Sequence, residues 1–236
     1  MNDKAIHQAR ALYYIFFAKI FSFVEHAEQY AELEELLDVF IANPLDEVSQ
    51  EAFIALKEAF STNGVEGLKN EYDNVFVSPD TSFIPLTASY YDEGRDDGQK
   101  RVKAAGFVLR SKFRRNTPVC NDSEDHVLFL FRLMNKLLEA GIDGQSDDLA
   151  LSKEVFAELI NDFIDEFVDL LYRHENGHFY KETALILKAF VDFERFYLNV
   201  KPSEKVMSAE RVSKVIQQDR KPLTQRVKRN LDEIVL

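Results

Sequence analysis

Residues 174–178, His174-Glu175-Asn176-Gly177-His178, spell the H-E-x-x-H signature of zinc metalloproteases. In that chemistry two histidines one turn apart on a helix hold the metal. The glutamate between them works on the metal-bound water. The signature therefore requires an unbroken helix. Asn-Gly favours turns, and Gly costs about 1 kcal/mol relative to Ala inside a helix. The pair also falls where one amphipathic stretch ends and the next begins, so the spacing predicts a turn. The extended metzincin pattern would want Gly at 181 and His at 184, where the chain has Lys181 and Ala184. Glu194 could be proposed as a downstream third ligand, without any distinguishing context. A zinc-dependent hydrolase using His174, Glu175 and His178 is the sharpest enzymatic alternative. The reading preferred here is not an enzyme, with no cofactor and no resident metal.

Two other stretches carry residue types suited to binding. "SPDTSFIPLTASYYDEGRDDG" (78–98) has no helical period. It combines Phe83, Pro85, Ser89, Tyr90 and Tyr91 with an acidic end, Asp92, Glu93, Asp96 and Asp97. A loop this long inside a compact helical domain tends to be functional. The second is "SEDH" (123–126), which places Glu124, Asp125 and His126 in the expected first turn of a long apolar helix. Carboxylates there satisfy free N–H groups and the helix dipole, whereas a cation is mildly unfavourable. His126 thus stands out. No glycine-rich phosphate loop and no G-x-S-x-G occur, and the lone Cys120 has no partner suggesting a nucleophile.

The elements that must position these residues all read helical. Eight Gly and six Pro in 236 residues leave few turns, and 20 Phe with no Trp supply the bulky core volume. Helical spacing predicts a buried first helix with Leu12, Ile15, Phe16, Ile20 and Phe23 on its apolar face, then helices over 28–42, 47–61 and 65–77. Further helices are expected over 99–116, 121–141, 152–174 and about 180–198. The run from Val127 to Leu138 is apolar on almost every side, which predicts the most buried helix. The expected architecture is an all-α, single-domain bundle of about eight to ten helices over 1–200, with a basic tail over 201–236. One or two short helices are expected in that tail.

Net charge is −12, unevenly placed: residues 201–236 carry nine Lys/Arg against five acids, which leaves −16 for residues 1–200. An acidic body argues against nucleic acid and suits a cationic partner. Lys19 interrupts the apolar start, so a buried helix is expected there in place of a signal peptide, and no integral membrane segment is expected. One cysteine suits a reducing cytosol.

The loop and the Asp-His motif, in this order, resemble the TorD/DmsD/NarJ family of redox-enzyme maturation chaperones. Its first motif is matched by Glu71-Tyr72, Phe76, Ser78-Pro79 and the run Pro85-Leu86-Thr87-Ala88-Ser89-Tyr90-Tyr91. Its second is matched by Asp125-His126 before "VLFLFRLMNKLL", and the resemblance covers roughly residues 5–200. Ser78 and Ala88 depart from the Gly and Glu usual in the family, and no Pro precedes Asp125-His126. The resemblance implies a cytoplasmic, bacterial, all-helical chaperone. Its partner would be a molybdoenzyme catalytic-subunit precursor, bound through a twin-arginine signal peptide and held until its cofactor is inserted. It further implies client-peptide binding at Phe83, Pro85, Ser89, Tyr90, Tyr91, Asp92, Glu93, Glu124, Asp125 and His126. Charge reversal at Asp125 with Tyr91→Ala is expected to weaken binding without unfolding. A non-chaperone adaptor is the other alternative. A monomer or an element-swapped homodimer fits a helical protein with a long hinge loop.

Overall fold

A computed structural model describes residues 3–23, 27–116, 121–144 and 146–204. The chain divides into two units, Met1–Lys205 and Val206–Leu236. The second unit, with the helices expected in the tail, lies outside the described residues, as does Cys120. The described fold is all-α: α1 (Asp3–Ile20), α2 (Ala27–Ala42), α3 (Glu47–Tyr72), α4 (Ala88–Glu93), α5 (Gln99–Arg110), α6 (Val127–Ile142), α7 (Ser146–Val155), α8 (Asn161–Arg173) and α9 (His178–Leu198). No described helix is long and apolar enough to cross a membrane.

The core forms where α1 packs along α6, α3 along α9 and α8 along α9. It is built of aromatic rings. Phe40 and Phe53 stack 5.0 Å apart, Tyr13 stacks on Phe190 at 4.9 Å, and Phe131 lies 5.8 Å from Phe17. Such pairs add about 0.5–1.5 kcal/mol each beyond the area they bury. The buried face of α1 is turned slightly from the one the spacing picked out. Tyr13, Tyr14, Phe16, Phe17 and Ile20 face inward, while Leu12 is 39% exposed and Phe23 41%. A tyrosine pair in the core needs partners for its hydroxyls, and only one is satisfied. Tyr14 donates to the Glu194 carboxylate at 2.8 Å; the buried Tyr13 hydroxyl has no partner among the described residues.

Glu194 is fully buried and also receives Arg10, whose guanidinium donates to both of its oxygens, one at 2.9 Å. The pair ties α1 to α9. Arg195 does the same between α9 and α8, reaching both oxygens of Asp165 at 2.9 and 2.7 Å and Asn161 at 2.8 Å.

Several boundaries differ from those the periodicity predicts. The helices expected at 47–61 and 65–77 form one run bent at Gly64, whose φ of 60° and ψ of −162° suit glycine alone. Asp46 starts that run with a capping box, its carboxylate accepting the Ser49 N–H at 2.7 Å. A π turn (Asp73–Val77) then ends it. The stretch expected at 152–174 begins earlier, at α7, and a second π turn (Phe156–Ile160) separates α7 from α8. The helix expected over 99–116 stops at Arg110, and Arg114 donates to the carbonyls of Val108 and Ser111 just beyond its end. The break expected after residue 61 is thus a bend at Gly64, whereas apolar spacing survives a π turn, which is why it predicts neither π turn.

Candidate functional site

The aperiodic stretch 78–98 is anchored at nearly every step. Its first part hangs on the π turn: Ile84 N–H donates to the Val75 carbonyl at 2.8 Å, and the Thr81 hydroxyl donates to that of Asn74. A π turn offsets the regular i→i−4 ladder and so leaves carbonyls for outside donors. Ile84 and Pro85 are buried, and Tyr91 folds back to donate its hydroxyl to the Pro85 carbonyl at 2.8 Å. The Tyr91 ring stacks 5.4 Å from Phe163 of α8, and its burial pushes the phenol well above its usual pKa. The second part, 88–93, is the short helix α4; six residues carry too little apolar periodicity for the sequence to mark them.

The HENGH segment also serves this loop. Residues 174–177 form the turn between α8 and α9, as the Asn-Gly pair predicts. His174 accepts the Asn176 N–H on Nδ1 at 3.2 Å, which leaves Nε2 as the protonated nitrogen, 2.8 Å from the Ser82 carbonyl. Both ring nitrogens are thereby occupied. Below the turn the buried Glu71 carboxylate accepts the Tyr180 N–H at 2.9 Å at the start of α9. Burial pushes Glu71 up to about 7, with the Tyr180, His178 and Phe179 amides pulling the other way. Glu194, weighed above as a third ligand, is wholly committed to Arg10 and Tyr14.

The two motifs are tied together in one junction. Val127 N–H donates to the Leu86 carbonyl at 2.8 Å, and Ala88 N–H to the Asp125 carbonyl at 2.9 Å, so that Thr87 and His126 pair as a single antiparallel bridge. The Asp125 side chain closes the junction. One oxygen accepts the Ser89 N–H at 2.9 Å and the other the Ser123 hydroxyl at 2.7 Å, and the residue is fully buried. Glu124 and Asp125 therefore precede α6 and do not form its first turn. His126 is the N-cap: its Nδ1 accepts the Leu128 N–H at 3.2 Å. Burial lowers the His126 pKa, against the opposing pull of Asp122, Asp125 and Asp96, so the ring is neutral and can accept that bond.

Polar contacts then lock α5 to the junction. The Ser89 hydroxyl accepts the Arg101 N–H at 3.2 Å, and Arg101 and Arg115 each reach Glu124 at 2.9 Å. Burial raises the Glu124 pKa, but these two guanidinium groups outweigh it and hold the group below the usual carboxylate range.

The ten residues singled out from the sequence thus divide by exposure. Pro85, Ser89 and Asp125 are buried, and Tyr91, Glu124 and His126 are engaged in holding the junction. Phe83 and Tyr90 are half-buried, their rings 6.3 Å apart edge to face, and Asp92 and the exposed Glu93 follow them. Sequence reasoning named Glu71 and His174 without their anchoring roles and missed Arg101. Their signal is weak, because each acts on a residue distant in the chain through one side chain.

In this bundle a loop and a helix start distant in the chain are joined at one junction. The family model of the nitrate reductase delta subunit matches residues 42–169, more than half of the chain and all of the junction. The chain belongs to this family, the molybdoenzyme maturation chaperones of the NarJ/TorD type. No curated protein matches it.

Proposed function

We propose that this chain is a cytoplasmic chaperone that binds the precursor of a molybdoenzyme catalytic subunit at its twin-arginine signal peptide and holds it for cofactor insertion. The observation that carries this reading is the solvent side of the junction. There the half-buried Phe83–Tyr90 ring pair is followed in the chain by Asp92, Glu93, Asp96 and Asp97, four carboxylates within six residues, of which Asp96 accepts the Thr87 hydroxyl. A peptide with paired arginines and an apolar run needs this combination, because guanidinium–carboxylate bonds set register while apolar burial supplies affinity. Glu93 pairs with Arg95 and Asp97 with Arg101 at the surface. Exposed pairs of this kind are weak and readily exchanged, so an incoming guanidinium replaces one cation by another.

In this reading Phe83, Tyr90, Asp92 and Glu93 touch the client. Pro85, Ser89, Tyr91, Glu124, Asp125 and His126 hold the surface in shape. Calorimetric titration of a twin-arginine signal peptide tests it: Asp92→Asn with Glu93→Gln should weaken binding about tenfold or more at low salt and less at high salt. Equal affinity of variant and wild type would overturn the acidic rim. In a pull-down from the native cell a molybdoenzyme catalytic subunit should dominate.

A further inference from the structure

Helix α5 is apolar on two opposite faces. Its inner face, Ala104, Phe107 and Val108, packs on its neighbours in the fold, as a surface helix should. Its outer face should be charged by the same logic. Instead Val102 and Leu109 stand 66% and 69% exposed, with Ala105 and Gly106 between them. Positions i, i+3, i+4 and i+7 form one stripe, about 10 Å long at 1.5 Å per residue. A Cβ added at Gly106 would meet nothing within 4 Å, so the middle of the stripe is open space where another backbone can come close.

The borders of the stripe are electrically quiet. Lys103 pairs with Glu158, Arg110 with Glu154, and Arg101 with Asp97 and Glu124. The carboxylates of residues 92–97 lie directly before the first turn of α5, and Glu93 accepts the Gln99 N–H that opens it. Acid and apolar surface therefore follow one another along the chain in the order 92–97, then 102–109. A ligand that matches both carries cations next to an uncharged apolar helical run.

We propose that the outer face of α5 seats the apolar helical run that follows the arginines of the client peptide, with Val102 and Leu109 as anchors and Gly106 as the point of closest approach. The inference rests on the client reading above and extends it to an element outside the residues that reading assigns. Helix-on-helix docking through i, i+3, i+4 and i+7 anchors is a standard mode of peptide recognition. The orientation is set by charge. The arginines sit over Asp96 and Asp97, the carboxylates that stand just before the first turn of α5, while the paired charges along the stripe offer them no free anion.

The test uses the full chain and two labelled synthetic peptides, one with paired arginines followed by an apolar run and one with that run replaced by Ser and Gly. Affinities are read by fluorescence anisotropy for wild type and for Val102→Ser/Leu109→Ser. Both substitutions are at exposed positions, and an unchanged Tm checks the fold. The double variant should lose about tenfold or more on the apolar peptide and nothing on the polar one, a coupling that a general loss of binding would not produce. If it binds both peptides as wild type does, or loses equally on both, the α5 assignment is overturned while the client reading stands. If wild type binds neither peptide, the client reading itself falls, and this inference with it.

Discussion

Ser89 donates its backbone N–H to the buried carboxylate of Asp125 at 2.9 Å, across 36 residues of chain. This bond joins the aperiodic loop to the start of the core helix, and the Ser123 hydroxyl holds the other oxygen of the same group. Read from the sequence alone, charge reversal at Asp125 tests binding; with the side chain fully buried it tests folding. Asp125→Ala should cost about 2–3 kcal/mol in urea unfolding, since it leaves buried donors without acceptors. Amide exchange at Ala88, Ser89 and Val127 should accelerate selectively. Wild-type protection there in the variant would contradict the junction.

Breaking the buried pair between α1 and α9 should be more damaging. Glu194→Gln leaves Arg10 charged and poorly compensated, and a loss of about 3–5 kcal/mol is expected. The double substitution Arg10→Met/Glu194→Leu removes both charges and should recover most of that loss. Chemical denaturation of the two variants side by side decides it. A double variant no more stable than the single would show that the ion pair is needed for packing beyond its charge.

Two neighbouring tyrosines should respond in opposite ways. The Tyr13 hydroxyl is buried without a partner, so Tyr13→Phe should leave stability unchanged or raise it by about 1 kcal/mol. Tyr14→Phe removes a donor from Glu194 and should cost about 1–2 kcal/mol. Thermal unfolding of both proteins checks the sign.

Stability should carry two opposed pH slopes. Glu71 has a folded pKa raised to about 7, so the native state holds its proton where the unfolded chain has lost it. This contribution falls as pH rises from about 4.5 to 7, and Glu71→Gln should abolish it. His126 has a lowered folded pKa, so its contribution is present above about 6.5 and is lost as pH falls through the folded value. His126→Asn keeps a capping oxygen and should remove that slope alone. Denaturation midpoints from pH 5 to 8 for the two variants separate the effects; parallel curves for wild type and both variants would refute them.

Much of the fold was legible in local pattern. Apolar spacing marks the α2, α6 and α9 segments, and Asn176-Gly177 marks the turn between α8 and α9. These are properties of a few consecutive residues, and the hydrophobic effect acts on them wherever they sit. The order of the two motifs was legible for the same reason, and with it the resemblance to the family.

What only the tertiary structure decided is which side of each motif faces solvent. Asp125 and Asp92 are both acidic residues beside aromatic or apolar ones in the sequence. One closes a buried junction and the other lies on its half-buried rim. His174 is metal-ligand chemistry on paper and a clamp on the Ser82 carbonyl in space. The exposed stripe of α5 reads in the sequence like any core-facing stripe. Burial is set by the neighbours that long-range packing supplies, and no window of consecutive residues contains them.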